Sequence, residues 1–111
     1  LTQIDFDREM AFVAVEQTQS SYSILGVSRI ILASDNINSD FAVLIRSDQQ
    51  GNGLGKLLMK KIIKYCQHKQ VPQLSGVTMP NNSGMINMAK EFGFDIDIQF
   101  DENIAYLNLR L

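Results

Sequence analysis

The alternation of apolar and polar residues divides the chain into short elements separated by polar turns. Glu9–Glu16 sets Met10, Phe12 and Ala14 on one side and Ala11, Val13 and Val15 on the other, which predicts a strand. The polar run Gln17–Ser21 predicts a hairpin turn into a longer strand, Tyr22–Leu32, in which Gly26 marks a bulge. Ala33 to Ser39 reads as loop. Asp40–Arg46 is the central strand, because Phe41–Ile45 is a short apolar run containing β-branched residues. A helix follows from about Gly53 to about His68. Leu54, Leu58, Ile62, Tyr65 and Cys66, joined by Leu57, form one face of it, and Lys56, Lys60 and Lys64 form another. Val71-Pro72 ends that helix.

Gln73–Met79 is a strand, parallel to the central one if the helix is a crossover. Pro80 to Ser83 is a loop with an asparagine suited to cap Met85–Phe92, a second helix, which Gly93 closes. Phe94–Phe100 alternates apolar with acidic or polar residues, as a half-exposed strand does. Asp101–Asn103 turns the chain into a last strand, Ile104–Leu111. The order β-β-β-α-β-α-β-β predicts an α+β domain, a mixed sheet with two covering helices.

Composition narrows the function classes. The 111 residues suit one domain, and a charged content of 20% is ordinary for a globular protein. A net charge of −2 argues against a general nucleic-acid binder or an anionic-membrane binder. One cysteine, Cys66, leaves no internal disulfide and fits a reducing, cytoplasmic location. It falls on the apolar helix face and reads as core, while His68 reads as a helix-end contact. No apolar run approaches transmembrane length, no secretory leader is visible, and no Cys/His/Asp cluster has metal-ligand spacing. The start at Leu1-Thr2 without an initiator Met reads as part of a larger chain.

The candidate chemistry lies between the central strand and the first helix. Gly51, Gly53 and Gly55 alternate through the turn, where glycine permits positive φ and close ligand approach. Such a turn opening a helix leaves several N–H groups aimed at one point, a geometry that binds phosphates. A Walker A loop fails, because Gln50 occupies its first glycine position and Leu57 follows Lys56. A dinucleotide fingerprint from Gly51 fails, because Lys56 stands at its third glycine. Gln/Arg-x-x-Gly-x-Gly/Ala is met by Gln50, Gly53 and Gly55.

That motif resembles the acetyl-coenzyme A pyrophosphate loop of the GNAT acetyltransferases. Asn82 before a helix that ends in Gly93-Phe94 is similar to a second core motif of the same family. The resemblance covers residues 9 to 111 and implies the acyl-CoA N-acyltransferase fold, with the front strand and two helices missing, or at most Leu1 to Asp7 left of that region. Thr2–Val15, Phe41–Asp48 and Thr78–Asn82 further resemble the C-terminal domain of bacterial Pat-type protein lysine acetyltransferases. That implies acetyl-CoA as co-substrate, no metal, and a protein lysine as acceptor, such as one on acetyl-CoA synthetase. A non-catalytic acyl-CoA sensor and a small-amine acetyltransferase are the alternatives. The oligomeric state is open.

The chemistry implied is attack of an amine on a thioester. A lysine ammonium, with a pKa of about 10.4, must first lose a proton to a carboxylate, directly or through water. Many family members, Pat types included, place a Glu at the start of the central strand, and the matching residue is Asp40, one methylene shorter. Backbone groups of Val43 and Ile45 would pair with the pantetheine arm like an added strand, in a splay opposite Leu74–Met79. The amide of Leu44 or Ile45 would steady the oxyanion. Gln50, Gly51, Asn52, Gly53, Leu54, Gly55 and Lys56 would hold the pyrophosphate, with Asn82 nearby. Met79, Met85 and Met88 read as core, and Met85 could also touch the pantetheine. Many members carry a Tyr seven residues after that Asn to protonate the leaving thiolate. Here the position holds Ala89.

Overall fold

The computed structural model describes residues 8–33 and 37–111 in full and the backbone of 2–6. Residues 34–36 of the expected Ala33–Ser39 loop lie outside the described residues. The strands are β1 (Thr2–Phe6), β2 (Glu9–Gln17), β3 (Tyr22–Leu32), β4 (Ser39–Ile45), β5 (Gln73–Thr78), β6 (Asp95–Gln99) and β7 (Ile104–Arg110). The helices are α1 (Leu54–His68) and α2 (Ser83–Glu91), and a 3-10 turn at Ser47–Gln49 links β4 to the glycine loop. One sheet of seven strands runs β1-β2-β3-β4-β5-β7-β6. The pattern that begins at Glu9 is therefore one strand short. β1 pairs antiparallel with β2, from Thr2 opposite Val13 to Phe6 opposite Glu9, so a front strand is present.

Both helices cover the same face. Met10 and Phe12 of β2, Ile30 of β3, and Phe41 and Val43 of β4 turn toward it, and Leu58, Met59, Ile62 and Cys66 of α1 close over them. Leu57, expected on the apolar stripe, is 45% exposed, and Met59 is buried in its place. Each helix ends in a left-handed residue that returns the chain to the sheet. Gln70 (φ 59°) lets the Val71 N–H reach the Cys66 carbonyl, and Gly93 (φ 87°) lets the Phe94 N–H reach the Ala89 carbonyl. Val71 and Phe94 are thereby buried, and Phe94 meets the Phe41 ring with centroids 5.5 Å apart.

The bulge expected at Gly26 is present: the β2–β3 register shifts between Ala14, opposite Gly26, and Val15, opposite Ile24. Gly26 is also tightly covered, by Ile45, Leu58 and the Leu44 carbonyl.

Two features of the sheet set up the site. β4 and β5 run parallel, as a crossover through α1 requires, yet they share a single register pair, Asp40 with Ser75. Beyond that pair the strands part. The sheet face away from the helices also has no cover among the described residues, and it exposes Ile31, Leu44, Val77 and Tyr106. Among the described residues no helix is long and apolar enough to cross a membrane.

Candidate functional site

The parting of β4 from β5 leaves main-chain groups of β4 open. The Arg46 N–H donates to the Leu25 carbonyl at 2.9 Å. Along an antiparallel ladder alternate residues turn both backbone groups to the same neighbour. Arg46, Leu44 and Ala42 are thus turned to β3, while Phe41, Val43 and Ile45 are turned to β5. Since β5 has left the ladder by then, Val43 and Ile45 present their N–H and C=O groups to the gap. This fits an extended arm that pairs with both residues. Of the two amides expected to steady an oxyanion, that of Ile45 faces the gap and that of Leu44 is turned to β3.

The gap opens into a cleft of about 580 Å³ on the helix side of the sheet. Val43 and Ile45 form its floor, the glycine loop its far end, and the first turn and outer face of α2 its wall. Gly51 (φ 84°) and Gly53 (φ 89°) take left-handed conformations, and a Cβ at either would meet nothing within 4 Å. Their glycine identity is set by backbone conformation and leaves the space above the loop empty. Asn52 braces the loop: its carbonyl oxygen accepts from the Leu54 N–H at 3.2 Å, and its amide donates to Gln49. The next amides, of Gly55 and Lys56, have no acceptor within the helix and sit at its positive end.

Of the residues expected to contact the cofactor, Gln50, Gly51, Gly53, Gly55, Lys56, Asn82 and Met85 line this cleft with Val43 and Ile45. Leu44, Asn52 and Leu54 do not. Leu44 borders a shallow hollow on the opposite face, Asn52 acts within the loop, and Leu54 packs on the core. Gln49, Asn81, Ser83, Gly84, Asn87, Met88 and Glu91 also line the cleft and were not expected from the sequence. Met88 had a signal, as it lies one helical turn from Met85. A Cβ at Gly55 would make ordinary contact with the Met88 sulfur at 3.4 Å, which places α1 against α2 at this point. Met79, expected in the core, is 52% exposed.

Asn82 caps α2. Its side-chain oxygen accepts from the Met85 N–H at 3.1 Å, and its amide donates to Thr78 Oγ1 at 3.0 Å. It thereby fixes the wall of the cleft to the end of β5. Asn82→Ala should destabilise the fold by about 1 kcal/mol, read as a lower urea midpoint with an unchanged slope.

Asp40 lies elsewhere. Its register partners are Ile31 on β3 and Ser75 on β5, at the closed end of the gap. By strand alternation its carboxylate is on the face opposite the cleft-lining side chains of Val43 and Ile45, and it is exposed. A polar group surrounds it there: Asn108 donates to Ser75 Oγ at 2.8 Å, and Gln73 donates to Asn38 at 2.9 Å. The apolar neighbours on the same face are Ile31 and Leu44.

Ala89 is fully buried in the core and takes no part in the cleft lining, and among the described residues no tyrosine does. Cys66 is buried, and burial pushes its thiol up to about 11, so it is no nucleophile at neutral pH. Among the described residues no group of three His, Cys, Asp or Glu side chains could hold a metal ion.

Comparison with known proteins decides the family. The model of the acetyltransferase (GNAT) family matches residues 2–94. The chain belongs to the GNAT acetyltransferase family. It is 30% identical over 94 residues to the acetyltransferase PA5475 of Pseudomonas aeruginosa, covering 85% of this chain and 50% of that protein. The chain therefore spans about half the length of that relative. Solved GNAT structures share the fold. The GNAT domain of S. lividans PAT superposes with a TM-score of 0.79 at 17% identity, over 99% of this chain and 65% of that one. The Campylobacter jejuni N-acetyltransferase PseH, solved in complex with acetyl coenzyme A, does so with a TM-score of 0.71 at 22% identity, over 95% and 70%.

Proposed function

We propose that this GNAT chain transfers the acetyl group of acetyl-CoA to an amine, a lysine on a protein, by direct attack within a ternary complex. The observation that carries the reading is the gap between β4 and β5, edged by unpaired backbone of Val43 and Ile45, with a glycine loop and helix start at its open end. The thioester arm lies along β4 as an added strand. The diphosphate rests on the Gly51–Lys56 turn, and the Ile45 amide points to where negative charge develops on the acetyl oxygen.

Asp40 receives the ammonium proton. About 17 Å of strand separates it from Ile45, so the proton passes along a chain of waters, in keeping with its short side chain. The amine enters from the bare sheet face, where Asp40 and Leu44 lie. The leaving group is a thiol with a pKa near about 8.5, which solvent can protonate, so the lack of a tyrosine in the cleft does not stop turnover. The likeness of Thr2–Val15 and Thr78–Asn82 to Pat-type enzymes supports a protein lysine, and acetyl-CoA synthetase is the first acceptor to test.

A valine at Gly53 is β-branched at a φ of 89°. Gly53→Val should weaken acetyl-CoA binding at least about tenfold, a cost of about 1–3 kcal/mol for strain relieved by deforming the loop. Calorimetric titration that finds wild-type affinity would remove the loop from the site. Release of coenzyme A with proteins, peptides and small amines then identifies the acceptor. Ala89 favours one second reading, an acyl-CoA sensor: tight binding with no thiol release from any acceptor would establish it.

A further inference from the structure

The cleft carries two opposite charges, and both stand at the wrong end of their helices. Lys56 is the third residue of α1, in a first turn that has no acidic residue. The helix dipole is positive there and repels a cation. Glu91 is the last residue of α2, where the dipole is negative and repels an anion. Each local preference is violated, and the two residues answer each other: Lys56 Nζ lies 2.8 Å from Glu91 Oε2, across the mouth of the cleft. Among the described residues that line the cleft, no other carries a charge. The pair cancels, and a site shaped for an anion has no net side-chain charge at rest.

We propose that Glu91 is a built-in competitor of the coenzyme A diphosphate, holding Lys56 until the nucleotide displaces it. This rests on the reading of the cleft as the acetyl-CoA site. Lysine is a point charge on a flexible stem and exchanges one oxygen partner for another by rotation. The side chains of the pair are 54% and 57% exposed, so the bond between them is weak and salt-screened. A diphosphate seated on the Gly51–Lys56 amides carries more charge than one carboxylate and meets the positive end of α1 as well. Loading therefore swaps Lys56 from Glu91 to phosphate and leaves the carboxylate facing the ligand. That residual repulsion holds affinity down and favours product release. Positions that break local helix rules without a packing gain are where function is expected.

The test is calorimetric titration of the full chain with coenzyme A, and with pantetheine as a phosphate-free probe. Glu91→Gln keeps the shape and removes the charge. It should tighten coenzyme A about threefold to fivefold at low salt, with a smaller gain at high salt. Pantetheine affinity should not move. Lys56→Met should weaken coenzyme A by a similar factor. Glu102→Gln, on the β6–β7 turn, controls for net charge and should leave both titrations unchanged. Unchanged or weaker coenzyme A binding in Glu91→Gln overturns the proposal, as does an equal gain for pantetheine. Two outcomes separate it from the reading beneath. Failure of the wild type to bind, or of Gly53→Val to weaken binding, removes the cleft and the competitor together. Gly53-dependent binding that is indifferent to Glu91 removes the competitor alone.

Discussion

Acetyl transfer by Asp40→Asn should fall by about 10²–10³ at pH 7, within the span of a lost general base, and recover toward wild type as the pH is raised. The recovery is the diagnostic part. As alkali deprotonates the acceptor in solution, the task of the carboxylate is done before the amine arrives. Asparagine keeps the length and polarity of the side chain at an exposed strand position, so the fold and acetyl-CoA affinity should not change. Rates measured from pH 6 to 10 with saturating acetyl-CoA check this. A deficit that is the same at every pH would take Asp40 out of proton transfer and leave it a role in acceptor binding. A rate equal to wild type would leave it no role.

The second large effect falls on stability. Gly76 of β5 lies under the Phe41 ring, and a Cβ built there would come within 2.5 Å of Phe41 Cε1, with two more ring atoms inside 3 Å. Alanine would otherwise be preferred to glycine in a strand by about 0.5–1 kcal/mol. Overpacking of a filled core costs about 1–3 kcal/mol and decides the sign. Gly76→Ala should therefore lower the melting temperature by roughly 5–10 °C. Phe41 has little room to swing aside, because it is buried and packs on Phe94 with centroids 5.5 Å apart. Pairing Gly76→Ala with Phe41→Leu should restore part of the loss. Thermal melts in which the double variant is the plain sum of two losses would show that the ring is not what the new methyl strikes.

Much of this arrangement is legible in the sequence. The alternation in Glu9–Glu16, the 3.6-residue stripe through Leu58, Ile62 and Tyr65, and Gly93 after Phe92 are local signals, and each produced its element. Asn82 was legible as a cap for the same reason. What stayed hidden depends on pairing between distant segments. Thr2–Phe6 alternates like a strand, but only β2 beside it makes it one. Nothing in Phe41–Ile45 or Gln73–Thr78 says that the two strands meet once and then part. The exchange of Leu57 for Met59 reflects how α1 is rotated over the sheet, which the stripe alone does not fix. Glu91 belongs to no motif and gains meaning only because the fold brings the end of α2 to Lys56 at the start of α1.

The solitary bridge between Asp40 and Ser75 has one more consequence. It makes the molecule a hinge-like pair of half-sheets, four strands and three, riveted at one end by Phe41 on Gly76 and by the Ser39 hydroxyl on the Gln73 carbonyl. A ligand arm laid in the seam, as proposed above, would supply the missing rungs, and the substrate would then also serve as a stitch that completes the protein's own hydrogen bonding.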